Sequence, residues 1–209
     1  VAISRQCQRL KFGIYPQQIT MTLSSWKSTG SYFDYNGHQI FYQETAARDE
    51  TLLLVHGFPT AGWDWNKIWT DLAVRYRLIA PDMIGFGFSD KPKRYDYRIV
   101  DQAILHEKLL AATGSKRVHI LAHDYGDTVV QEMLARFHDR QAAGTGGLII
   151  ESVCFLNGGL FPEMHRPRPI QKMLLSPFGF LITPFIGRHT LEKNFNAIWG
   201  NSAPTDQEI

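Results

Sequence analysis

The 209 residues, 44% of them hydrophobic and 12% aromatic, are enough to bury the core of one domain. Lys and Arg number 22 against 20 Asp and Glu, so the formal charge of +2 gives no electrostatic case for a nucleic-acid partner or an anionic membrane surface. Two cysteines, Cys7 and Cys154, cannot build a disulfide framework; a reducing, cytoplasmic setting is expected, with Cys154 a small buried thiol in an apolar strand.

Residues 1–30 read as a poorly ordered N-terminal extension, because the first twenty show neither helical periodicity nor the apolar run of a signal peptide. Ser31 to Tyr35 and Ile40 to Glu44 read as strands joined by Asn36-Gly37, a dipeptide suited to the left-handed conformations of a tight hairpin. Thr51 to Val55 is apolar without alternation, as expected of a strand covered on both faces, and ends in His56-Gly57-Phe58-Pro59. A helix is predicted over Trp63 to Val74, with Trp65, Ile68, Trp69 and Leu72 at helical spacing, followed by a strand at Tyr76 to Ala80. This strand, helix, strand order argues for parallel pairing through crossovers.

Asp82 to Asp90 is a Gly- and Asp-rich loop; it contains G-x-G but lacks the third glycine and the helix of a dinucleotide site, and no cofactor or metal is expected. The basic cluster Lys91, Lys93 and Arg94 after it reads as solvated. Tyr97 to Thr113 reads as a helix stopped by Gly114, and Leu148 to Leu156 as a sixth strand. From Leu160 onward Pro162, Pro167, Pro169, Pro177 and Pro184 punctuate short apolar pieces, which suggests short helices inserted over the sheet's C-terminal edge. No window reaches the roughly 20 apolar residues that span a bilayer. The nearest, Met173 to Gly187, is broken by two prolines and reads as a lid or pocket wall.

The chemistry concentrates in Ala122-His123-Asp124-Tyr125-Gly126, between the apolar run Val118 to Leu121 and the helical spacing of Val129, Val130, Met133, Leu134 and Phe137. A strand, a sharp turn with small residues at both ends and a helix make a nucleophile elbow, here with Asp where Ser usually stands. An elbow carboxylate can attack carbon and form an ester, whose hydrolysis needs two amide donors and a base. The backbone N–H groups of Phe58 and Tyr125 are placed to be those donors. Asp ahead of a helix is most often an N-cap, but the flanking strand and the upstream His-Gly loop favour the nucleophile. His56 and His123 read as braces, Asp82 and Asp90 as turn stabilisers, Trp63, Trp65 and Trp69 as mostly core with one ring available to line the pocket, and Asp127 as a residue that favours the positive end of a helix.

H-G-F-P at His56 to Pro59, D-x-x-G-x-G-x-S-D-K-P from Asp82 to Pro92 and H-D-Y-G-D at His123 to Asp127 resemble the aspartate-nucleophile branch of the α/β-hydrolases, which includes epoxide hydrolases and haloalkane dehalogenases. Within it, D-W-N-K-I-W at Asp64 to Trp69 and N-G-G-L-F-P-E-M-H-R-P at Asn157 to Pro167 are most similar to the mesoderm-specific transcript group and its bacterial relatives. The resemblance implies an eight-stranded sheet with a helical cap after the sixth strand, residues 31–159 forming the core and 160–209 the start of the cap. It implies Asp124 as nucleophile, Phe58 and Tyr125 as the oxyanion hole, a cis bond before Pro59, and a small apolar epoxide, haloalkane or ester as substrate. Two departures stand out. Tyr125 occupies the place where dehalogenases usually carry Trp, and all eight tyrosines lie at or before Tyr125, leaving none for a cap. The family's histidine and acid follow the cap, so they are expected beyond Ile209, the chain being a truncated piece of the enzyme with little turnover and an apolar sheet edge at Leu148 to Leu156. His165 and His189 fall in the cap-like segment and are not assigned as the base. The alternative reading is a catalytically silent binding or membrane-associated protein of the same fold.

Overall fold

A computed structural model describes residues 21–158. The expectations for residues 1–20, the cap assignment of 160–209, and His165 and His189 lie outside that range. Within it, a six-stranded sheet is built from β1 (Ser31–Tyr35), β2 (His38–Glu44), β3 (Glu50–Val55), β4 (Tyr76–Pro81), β5 (Arg117–His123) and β6 (Ile149–Leu156), in the order β1-β2-β4-β3-β5-β6. β1, β2 and β4 pair antiparallel, and β4, β3, β5 and β6 run parallel. The crossovers carry α2 (Asn66–Ala73), α3 (Ile99–Ala112) and α4 (Tyr125–Ala142), with α1 (Leu23–Thr29) ahead of β1.

The β1–β2 hairpin closes as its dipeptide predicts, with φ of 54° at Asn36 and 83° at Gly37. β3 lacks alternation because both of its faces are buried. Leu53 and Val55 join Val118, Ile120, Ala122, Val129 and Met133 in the core under α3 and α4. Leu52 and Leu54 join Trp26, Trp65, Trp69 and Leu78 on the other face.

Three expectations change. The extension read as poorly ordered to residue 30 contains α1: Thr22 and Ser25 form a reciprocal capping box, and Trp26 is fully buried edge-on to Trp63 and Trp69. Seven residues are too few to show periodicity, so one tryptophan's burial in the tertiary structure decides the order. The helix predicted from Trp63 begins as a 3-10 turn at Gly62–Trp65, and the regular helix starts only at Asn66; Trp65 and Trp69 are buried, while Ile68, at the flank of their stripe, is exposed. Cys154 is exposed rather than buried. A bulge in the β5–β6 register near Ile150 pairs Val153 with Ile120 and Phe155 with Ala122, so these pack on the core while Ser152, Cys154 and Leu156 face outward. Among the described residues β6 pairs with β5 alone.

Candidate active site

Three loops converge at the C-terminal ends of the parallel strands: His56–Pro59 after β3, Asp82–Asp90 after β4 and His123–Gly126 after β5. Asp124 is the apex of the last, at φ 53° and ψ −121°, in a region that side-chain-bearing residues rarely occupy. One carboxylate oxygen, Oδ1, accepts two backbone hydrogen bonds, from Phe58 at 2.9 Å and from Tyr125 at 2.6 Å. The Phe58–Pro59 peptide is cis, as the resemblance implied. Asp124 is exposed, and no lysine or arginine among the described residues pairs with it. The structure thus brings together all three residues singled out for the site.

The loops are held by fixed polar contacts. His56, fully buried, donates from Nδ1 to the Gly57 carbonyl at 2.8 Å and accepts the Met83 N–H on Nε2 at 3.0 Å, tying the β3 loop to the β4 loop. Burial pushes its pKa down to about 4, so it is a neutral clip with both nitrogens in use and not a base. His123 reaches Asp64 at 2.9 Å and braces the elbow against the turn before α2. Asp82 accepts the N–H groups of Gly62 and Phe88, both at 2.7 Å, and Asp90 accepts that of Gln39 at 2.8 Å. Burial raises the Asp82 pKa, while its two amide donors oppose the rise. Lys91 is not merely solvated: its ammonium donates to the carbonyls of Gly87 and Ser89. Gly57 is required for clearance, since a Cβ there would lie 2.7 Å from the Asp124 Cβ and 2.9 Å from the His123 ring.

Beside the elbow lies a cavity of about 620 Å³, bordered by Phe58, Phe86, Lys91, Tyr97, Gln102 and Tyr125 among others. Phe86 stands edge-on to Phe58 and tilted over Tyr125, so the wall next to the two amide donors is aromatic. Trp63, Trp65 and Trp69 are not part of it.

The alpha/beta hydrolase fold family matches residues 50–145, the span from β3 through α4 that carries all three loops. The chain belongs to the α/β-hydrolase superfamily. This α/β-hydrolase chain is 46% identical over 181 residues to the mesoderm-specific transcript homolog protein of Bos taurus, covering 84% of the chain and 52% of that relative. It is 37% identical over 95 residues to a haloalkane dehalogenase of Mesorhizobium japonicum, covering 46% and 30%. The haloalkane dehalogenase DatA from Agrobacterium tumefaciens C58 shares the fold with a TM-score of 0.68 at 20% identity, over 86% of this chain and 59% of that one. The α/β-hydrolase chain spans 52% to 60% of the length of the mesoderm-specific transcript relatives it matches. Among its described residues no helix is long and apolar enough to cross a membrane.

Sequence reasoning misses Asp127. It reads as a helix-end residue, yet it is fully buried and neither oxygen has a well-formed hydrogen-bond partner among the described residues. Burial raises its pKa from 3.8 to about 6; the Asp124 charge adds to the rise, while the Leu156 N–H and His123 oppose it. The signal was its position three residues before Val130, on the inward face of α4. A raised folded pKa means that the fold prefers the protonated acid. Its contribution is therefore fully present below about pH 4 and lost as pH rises through about 6. Asp127→Asn, an uncharged isostere, is expected to match the wild type at pH 4. At pH 8 it should be more stable by on the order of 2–3 kcal/mol, since each tenfold change in proton affinity is worth about 1.4 kcal/mol. Urea unfolding at the two pH values checks this, and an equal difference at both would rule out titration of Asp127 as the cause.

Proposed function

We propose that Asp124 is a covalent nucleophile in a cofactor-independent hydrolase acting on a small, largely apolar epoxide, haloalkane or ester. One observation carries this reading: Oδ1 of the apex carboxylate accepts the N–H groups of both Phe58 and Tyr125, while Oδ2 is left free to attack. Oδ2 displaces halide from carbon or opens an epoxide, whose alkoxide takes a proton from water, and an Asp124 ester results. Water then adds to Cγ, the negative charge gathers on Oδ1 against the same two amides, and collapse releases the alcohol. The amides need no rearrangement between these steps, because they already face the atom on which charge develops. His56 and His123 are both committed to bracing contacts, so ester hydrolysis calls on a base outside the described residues. The dehalogenase names among the relatives support the same class of chemistry. Intact-mass and peptide mapping after exposure to styrene oxide and to 1-bromobutane tests it. A single adduct on Asp124 is the expected result, and labelling elsewhere with Asp124 unmodified would remove the assignment.

A further inference from the structure

The two amides that hold Asp124 come from different loops. Tyr125 is the next residue along the elbow, so the elbow itself places its N–H. Phe58 lies on the β3 loop, and its N–H meets Oδ1 only while the two loops keep their relative position. Oδ1 cannot be relied on to keep it, because the charge on that oxygen changes when Asp124 reacts.

A second carboxylate joins the same loops. Oδ2 of Asp64 accepts the hydroxyl of Thr60, the residue after Pro59, and also Nε2–H of His123, the residue before Asp124, at 2.9 Å. An ionised carboxylate offers only acceptors, so Nε2 carries the proton. The Thr60 N–H donates to the Gly57 carbonyl at 3.3 Å and closes a turn with Phe58 inside it. The His123 ring stands edge-on to Trp65 and rests against Gly57, where a Cβ would lie 2.9 Å from both Cε1 and Nδ1. Asp64 sits on a fixed platform. Its 3-10 turn is anchored by buried Trp65 and by the Gly62 N–H, which donates to buried Asp82 at 2.7 Å. Asp64, Thr60 and His123 all lie outside the lining of the cavity beside the elbow.

We propose that Asp64 is a positioning residue, a clamp that locks the Phe58 loop to the elbow and so sets the rate of the chemistry at Asp124 without touching the substrate. The inference deepens the proposed hydrolase reading: it rests on that reading for the reaction served, but not for the clamp. Misplacing a catalytic group by about 1 Å can cost on the order of 100-fold in rate. Binding in the aromatic-walled cavity is untouched by the same loss, because no arm of the clamp reaches it.

Labelling of Asp124 by styrene oxide, followed by intact mass over a range of concentrations, separates the maximal rate from the half-saturating concentration. Asp64→Ala is expected to lower the maximal rate by roughly tenfold or more and to leave half-saturation within about twofold. In amide NMR spectra of the unlabelled protein, the same variant should move the Phe58 proton upfield and leave that of Tyr125 in place, since the Phe58 amide alone depends on the clamp. A purely stabilising role would lower the melting temperature and change none of these values in the folded protein. A maximal rate within about twofold of the wild type, a loss confined to half-saturation, or an unmoved Phe58 amide would each overturn the clamp.

Should Asp64→Ala fail to fold, Thr60→Val removes one arm and carries the same expectations. The wild-type His123 ring gives a check that needs no variant: imidazole nitrogen shifts showing Nε2 without a proton at neutral pH would leave Asp64 no donor there and remove the clamp. The two claims also fail separately. A wild type that is never labelled on Asp124, with the Phe58 amide displaced in Asp64→Ala, removes the nucleophile and keeps the clamp. Labelling of Asp64→Ala on Asp124 at the wild-type rate keeps the nucleophile and removes the clamp.

Discussion

Asp124→Asn is expected to abolish covalent capture of an epoxide while leaving the fold as stable as before. The two roles open to this residue, nucleophile and helix cap, come apart in that one substitution. Asparagine caps helices about as well as aspartate, and its side-chain oxygen can still accept the Phe58 and Tyr125 amides, so unfolding should shift by no more than about 0.5 kcal/mol. An amide oxygen is a far weaker nucleophile than a carboxylate, so labelling should slow by roughly 10³-fold or more. Asp124→Ala removes cap and nucleophile together and should cost about 1 kcal/mol as well. Rates from intact mass spectra and thermal unfolding of the three proteins check this. An asparagine variant that is labelled at a comparable rate leaves Asp124 as a cap and nothing more.

Gly126→Ala should be the most damaging small change in the elbow. A Cβ there would lie 2.6 Å from the carbonyl oxygens of both Val55 and His56. Both atoms belong to backbone at the end of β3, which is hydrogen-bonded to β4 on one side and β5 on the other and cannot retreat. A flexible side chain could absorb such a clash; a central strand cannot. The first turn of α4 must then lift, at a cost of about 3 kcal/mol or more. It would take with it the Tyr125 amide that faces Asp124 Oδ1. Gly146→Ala is the control, because a Cβ there meets nothing within 4 Å. Equal denaturation midpoints for the two variants would show that the close approach at Gly126 is not what holds the turn.

How much of this is legible in the sequence depends on the range of the interactions involved. Asn36-Gly37 encodes its hairpin locally, and the unbroken apolar run of β3 encodes two covered faces. The elbow is readable because a strand, a turn and a helix follow one another within a short stretch of chain. Asp127 and Gln102 are not, because the meaning of a polar residue on a helix depends on what the sheet places against it. Each lies on an inward face, and each is left without a full set of partners only in the assembled fold. Trp26 is hidden for the opposite reason, since a single aromatic gives no period and only the pocket formed with Trp63 and Trp69 makes it an anchor. Cys154 is misassigned because a bulge decides which face of β6 it joins, and a bulge leaves no mark in an apolar run.

The positive φ of 53° at Asp124 also governs how mutations are tolerated at that position. Glycine is the residue that rests without strain in such a bend, so shortening the side chain past alanine to glycine should recover rigidity instead of losing it, against the ordinary order for residues beside a helix. Losing the acid at the apex to glycine should therefore cost the fold less than losing it to alanine, although glycine gives up the two amide contacts as well.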